Sequence, residues 1–129
     1  MNLLLDTHVA IWAVMEPERI PRKVQRLLED QRNTLFVSAV SIMEVAIKRR
    51  KGGKSAPKFS SAQMIVMFEG FGLLMLNLTA AHAAALEEIA LAHADPFDGL
   101  ILAQALAEPM RLVTADSKLA AYSDTIITW

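Results

Sequence analysis

Leu3-Leu4-Leu5-Asp6-Thr7-His8-Val9-Ala10-Ile11-Trp12 is the stretch that decides the fold. Three consecutive leucines followed at once by a carboxylate and then by apolar residues at helical spacing predict a strand buried on both faces that runs directly into a helix. In open α/β sheets the ligand crevice lies outside the carboxyl ends of the strands, where the strand order reverses. Asp6 stands at such an end. The question for the remaining sequence is whether other carboxylates converge on it.

Working outward, Val9, Ile11, Trp12 and Met15 suit a short helix stopped by Pro17, and Pro21 opens a second helix with Val24, Leu27 and Leu28 on its buried face. Thr34-Leu35-Phe36-Val37 reads as a second buried strand. Residues 38–50 read as a helix with Val40, Met43 and Ile47 inward, closed by Lys48, Arg49 and Arg50 and terminated by Gly52 and Gly53. Ser60 or Ser61 caps a helix through Met64, Ile65, Met67 and Phe68, whose methionine-rich stripe fits core or an oligomer contact.

Leu73 to Leu76 is a third buried strand, and Thr79 caps an alanine-rich helix predicted to run to about Ala92, with His82 structural or on the surface. Asp95 followed by Pro96 opens the next helix, Arg111 to Thr114 is a fourth strand, Asp116-Ser117-Lys118 starts a short helix, and Thr125 to Thr128 forms a final edge strand. This alternation predicts an α/β fold. A central, mostly parallel sheet of about five strands is flanked by helices in three layers, as a single domain over residues 1–129.

With 129 residues, 53% hydrophobic and 21% charged, the chain has enough apolar side chains for one core. A formal charge of −1 gives no global electrostatic case for binding nucleic acid or membrane, so any such case is local. The absence of cysteine excludes disulfide and thiolate chemistry and suits a reducing compartment. No apolar run reaches the ~18 residues a membrane span needs, and no secretory leader pattern opens the chain, so a cytoplasmic location is expected.

Three further acids attract notice. Glu44 lies among Ile42, Met43, Val45, Ala46 and Ile47, where a carboxylate needs a partner. Either it closes a capping box with Ser41, or Ser38 caps the helix and Glu44 faces Asp6 across the sheet end. Asp98 falls in the first turn of the helix that Asp95 caps, and the helix dipole explains it only weakly. Asp116 follows a strand as Asp6 does, and an N-cap role accounts for it equally well. Lys48, Arg49, Arg50, Lys51 and Lys54 hold five of the 13 basic residues and are candidates for contact with an anionic substrate or partner.

Four clustered carboxylates repel one another and take up protons unless a cation keeps them ionised. Hard oxygen donors with no cysteine point to Mg²⁺ or Mn²⁺ rather than Zn²⁺. Such a site suits phosphodiester hydrolysis, in which the cation activates water and offsets phosphate charge. A phosphatase or DNA nuclease on the same sheet is an alternative. An aspartyl-nucleophile phosphatase, however, would want an acid two residues after Asp6, where His8 stands.

Leu3 to His8, Ser38 to Glu44 with Lys48-Arg49-Arg50, His93-Ala94-Asp95-Pro96-Phe97-Asp98, Leu102 to Ala105 and Val113-Thr114-Ala115-Asp116 together resemble a PIN-domain ribonuclease, and more narrowly the VapC-like toxins of type II toxin–antitoxin pairs. The resemblance spans essentially the whole chain in order. It implies an RNA endonuclease using Mg²⁺ or Mn²⁺, usually a homodimer, held in check by a cognate antitoxin through which alone it meets DNA. A second possibility is a catalytically weak module acting mainly through that complex.

By position, the resemblance makes Asp6, Glu44 and Asp98 the core catalytic and metal-holding acids and Asp116 a fourth. Thr114, Thr7 and Asp95 become supporting residues. One departure stands out: relatives commonly carry arginine after the third acid, and this chain has Gly99. The basic run from Lys48 to Lys54 is the expected compensation.

Overall fold

The computed structural model describes residues 1–89 and 95–129. Four strands, β1 (Asn2–Leu5), β2 (Thr34–Ser38), β3 (Leu74–Leu76) and β4 (Arg111–Val113), form one parallel sheet in the order β3-β2-β1-β4. Around it lie α1 (Thr7–Met15), α2 (Arg22–Glu29), α3 (Ala39–Lys51), α4 (Ser61–Phe71), α5 (Ala80–Ala85), α6 (Pro96–Ala107) and α7 (Ser117–Ala120). Among the described residues no helix is long and apolar enough to cross a membrane.

The leucine triplet is apolar throughout because β1 is central. Leu3 and Leu5 face one apolar cluster with Val9, Val24, Leu28, Met64 and Phe68, whereas Leu4 faces the other with Val40, Ile101, Leu102 and Leu112. Alternate side chains of a strand point to opposite faces, so both layers of helices are anchored on three successive residues. All three leucines are fully buried, each contributing roughly 1.5–3 kcal/mol of apolar burial.

β1 pairs with β2 on one side and β4 on the other, with Leu5 opposite both Val37 and Val113. The strand order therefore reverses between β1 and β4, and a crevice opens beyond their carboxyl ends. Asp6 and the residues after Val113 lie there.

Several expectations are corrected. The fifth strand shrinks to a single bridge between Val113 and Ile127. The Arg111 guanidinium takes the Thr125 carbonyl at 2.7 Å and the Ser123 hydroxyl takes the Thr125 amide at 3.2 Å, which removes that residue from any ladder. β3 is an edge strand, so Leu74 is 52% exposed instead of buried.

On α3 the buried face is Val40, Ser41, Glu44 and Val45, while Met43 and Ile47 are about two-fifths exposed. The helical periodicity holds and its phase is shifted: the inward face contains the carboxylate itself. Met64 and Phe68 are core residues packed under β1, which removes them from any oligomer contact. The alanine-rich helix ends at Ala85 and tightens into a 3₁₀ turn at Leu86–Glu88. The last part of its predicted run to Ala92, residues 90–92, and His93 after it lie outside the described residues.

Candidate active site at the carboxyl end of the sheet

Asp6 is the N-cap of α1. Its Oδ1 accepts from the Val9 amide at 2.9 Å and its Oδ2 from the Thr114 hydroxyl at 2.5 Å. The Asp6 amide in turn donates to the Val113 carbonyl at 3.0 Å, so the strand pair β1–β4 itself fixes this acid. Thr114, fully buried, also accepts from the Asp116 amide at 3.0 Å, and one hydroxyl thereby ties the turn carrying Asp116 to Asp6. Asp116 caps α7 by accepting from the Lys118 amide at 2.9 Å.

Ser38, not Ser41, caps α3, accepting from the Val40 amide at 2.9 Å. The capping-box reading of Glu44 falls, since Ser41 lies inside the helix with its hydroxyl 2.8 Å from that of Thr7. This buried hydroxyl pair joins the first turn of α1 to the first turn of α3 and sets the spacing between Asp6 and Glu44. Glu44 is 3% exposed and its partner is Lys48, whose ammonium donates at 2.7 Å from the next turn.

Asp95 accepts from the amides of Phe97 at 2.9 Å and Asp98 at 3.4 Å as the N-cap of α6. Asp98 then stands half-buried in the first turn. Burial pushes its carboxyl up to about 7, and the charges of Asp95, Asp6, Glu44 and Asp116 add to the shift in that order. Burial likewise raises Asp6, opposed by the Thr114 and Val9 hydrogen bonds and by His8. The charges of Asp95, Asp6, Glu44 and Asp116 thus all bear on Asp98, and that of Glu44 bears on Asp6 as well.

The donors are hard carboxylate oxygens, the chemistry that suits Mg²⁺ or Mn²⁺. Among the described residues no three acids or histidines stand close enough to enclose an ion as placed: Glu44 is on Lys48, and Asp6 on Thr114 and the Val9 amide. A cleft of about 580 Å³ runs beside the acids, lined by Asp6, His8, Trp12, Arg19, Asp98 and Asp116. A second hollow of about 220 Å³ adjoins it through His8 and reaches Glu44, Lys48 and Lys58.

The basic run divides. Lys48 belongs to the acid cluster, and Arg49 donates to the carbonyls of Pro57 and Lys58 at 3.2 and 3.1 Å, stapling the loop after α3. Arg50, Lys51 and Lys54 are exposed around Gly52 and Gly53, whose φ values of 73° and 96° let the chain leave the helix.

Reading the sequence missed the residues that hold the scaffold of this site. The Ser38 hydroxyl donates to Gln104 Oε1 at 2.5 Å, and Gln104 Nε2 donates to the Asn77 carbonyl at 3.3 Å. His82 Nδ1 accepts from the Thr79 amide at 3.1 Å, which leaves Nε2 to donate to Glu108 at 2.5 Å. A glutamine inside the apolar run Leu100 to Leu106 was the available signal, because a fully buried amide must be satisfied. Gln104→Leu is expected to lower unfolding stability by about 1–3 kcal/mol, the cost of orphaning the Ser38 hydroxyl and the Asn77 carbonyl. Urea denaturation checks this, and an unchanged midpoint would show that the network adds no stability.

The family model for the PIN domain matches residues 3–124. Ribonuclease VapC22 of Mycobacterium tuberculosis is 30% identical over 126 residues, covering 94% of this chain and 92% of the relative. Among solved structures, VapBC2 from Rickettsia felis, bound to a DNA fragment from its promoter, superposes with a TM-score of 0.67 at 20% identity, covering 100% of this chain and 98% of that one. DNA-bound VapBC from Salmonella typhimurium gives 0.65 at 17% identity, with 100% and 97% covered. With its acids gathered where β1 and β4 end, and with a family match across nearly its whole length, this chain belongs to the PIN domain family.

Proposed function

We propose that this chain is a divalent-cation-dependent RNA endonuclease that acts as the toxin of a toxin–antitoxin pair, with Asp6, Glu44, Asp98 and Asp116 as its reactive acids. The observation that carries the reading is the convergence at Asp98: Asp6, Asp98 and Asp116 line one cleft, and burial first, then the charges of Asp95, Asp6, Glu44 and Asp116, push the Asp98 carboxyl up to about 7. Without a cation such a cluster opposes itself and repels phosphate. With one it becomes a phosphodiester site.

Mg²⁺ or Mn²⁺ is the cation proposed, held by Asp6, Asp98, Asp116 and Glu44. When bound it supplies Lewis acidity and a water of lowered pKa. The chain's own residues do the rest. Thr114 fixes the Asp6 carboxylate, the Thr7–Ser41 pair holds α1 against α3, and Asp95 anchors the turn that presents Asp98.

RNA is favoured over DNA by kinship with a protein named a ribonuclease. An antitoxin partner is supported by the likeness to VapBC complexes, two of them DNA-bound, and the net charge of −1 makes the antitoxin the DNA-contacting member. The purified chain is expected to cut single-stranded RNA with Mg²⁺ or Mn²⁺ and to stop when the metal is chelated. Induced expression should arrest growth and leave mapped RNA ends. Intact RNA across a full Mn²⁺ titration would overturn the proposal.

A further inference from the structure

One wall of the acid cleft is neither acidic nor given a task by the site described above. His8 and Trp12, one helical turn apart on α1, put their rings 6.0 Å apart at 46°, and Trp129 lies 6.4 Å beyond Trp12. Arg19, at the end of the 3₁₀ turn Pro17–Arg19, sets its guanidinium 4.7 Å over the Trp12 ring. Among the described residues lining this cleft, Arg19 alone carries a permanent positive charge.

We infer that Arg19, held on the face of Trp12, is a substrate-contacting residue that takes the phosphate next to the one cut. This rests on the RNA-cleavage reading. An RNA strand brings flanking phosphates into a cleft whose other wall is carboxylates, so a fixed cation opposite them has a defined task. The planar guanidinium suits it: its place over the indole face leaves N–H groups for two phosphate oxygens. Its present ion pair with Glu16, at 3.2 Å with both side chains about half exposed, is weak and exchangeable for phosphate. The basic run after α3, the expected compensation for Gly99, does not line this cleft, and Arg19 does.

The test uses the full chain carrying Asp98→Asn, so that RNA is bound and not cut, and a fluorescein-labelled single-stranded RNA with Mg²⁺. Arg19→Ala is expected to weaken binding about tenfold, the scale of one charge-assisted contact, and to reduce the slope of log affinity against log salt by about 0.7. Arg32→Ala is the control for lost charge. Its guanidinium is held by Asp30 at 2.8 Å beside the amino ends of the strands, and it should change neither quantity.

In the otherwise unaltered chain, Arg19→Ala should raise KM while kcat stays within about twofold. Arg19→Ala matching Arg32→Ala in affinity and slope, in a chain that does cut RNA, would overturn this inference alone. A parent that neither binds nor cuts RNA would overturn the proposed function and the role of Arg19 with it.

Discussion

Replacing Asp6 with asparagine is expected to reduce metal-dependent RNA cleavage by about a thousandfold, equivalent to roughly 4 kcal/mol of transition-state stabilisation, with the fold retained. Asparagine keeps both local hydrogen bonds. Its carbonyl oxygen can still accept from the Val9 amide, so the cap of α1 survives. Its amide faces the Thr114 hydroxyl, which can rotate to accept from it and still accept from the Asp116 amide.

Burial already disfavours the charge on Asp6, so neutralising it relieves strain on the folded state rather than adding any. What disappears is the buried negative charge at the reversal point of the sheet. A thermal melt at or above that of the parent, together with lost cleavage, is the expected pair of results. Cleavage within a few-fold of the parent would exclude Asp6 from the chemistry.

Much of this was legible in the order of residues, for physical reasons that differ along the chain. Leu3 to Leu5 could be read as a central strand because only burial on both faces tolerates three leucines in succession, and Asp6 inherited its position from them. Asp95 and Asp116 were legible as caps since their local hydrogen bonds reach no further than three residues.

The phase of α3 was not legible, because it depends on where β2 ends. With Ser38 finishing the strand and capping the helix, the inward face falls on Ser41, Glu44 and Val45. The last strand failed for a reason outside its own residues, a guanidinium from β4 claiming the Thr125 carbonyl. Gln104, Ser41 and Arg19 act through partners 66, 34 and 7 residues away, and spacing in the sequence carries no trace of such pairings.

Asp98→Asn is expected to separate the cost of the acid cluster from its use. In the parent, burial and then the charges of Asp95, Asp6, Glu44 and Asp116 raise this carboxyl from 3.8 to about 7. Between those values the folded chain holds a proton that the unfolded chain has released, so stability falls as pH rises through the window and the loss is complete above about 7. For a half-exposed carboxyl screened by solvent, that loss is about 1–2 kcal/mol.

Urea denaturation in chelator should therefore show the parent and Asp98→Asn nearly equal near the acid end of the window, and Asp98→Asn more stable by that amount at pH ~8. Added Mg²⁺ or Mn²⁺ at pH ~8 should stabilise the parent far more than it stabilises Asp98→Asn, because a ligand that binds only the folded state adds stability through its affinity. The affinity of the parent for Mg²⁺ or Mn²⁺ should rise as pH climbs towards about 7 and the metal-free carboxyl ionises, while Asp98→Asn should lose about a hundredfold or more of the cleavage at every pH. If Asp98→Asn gains no stability at high pH in chelator, Asp98 does not feel the other acids. Asp6, Glu44, Asp98 and Asp116 would then be held by their local partners alone, with no common site for a cation.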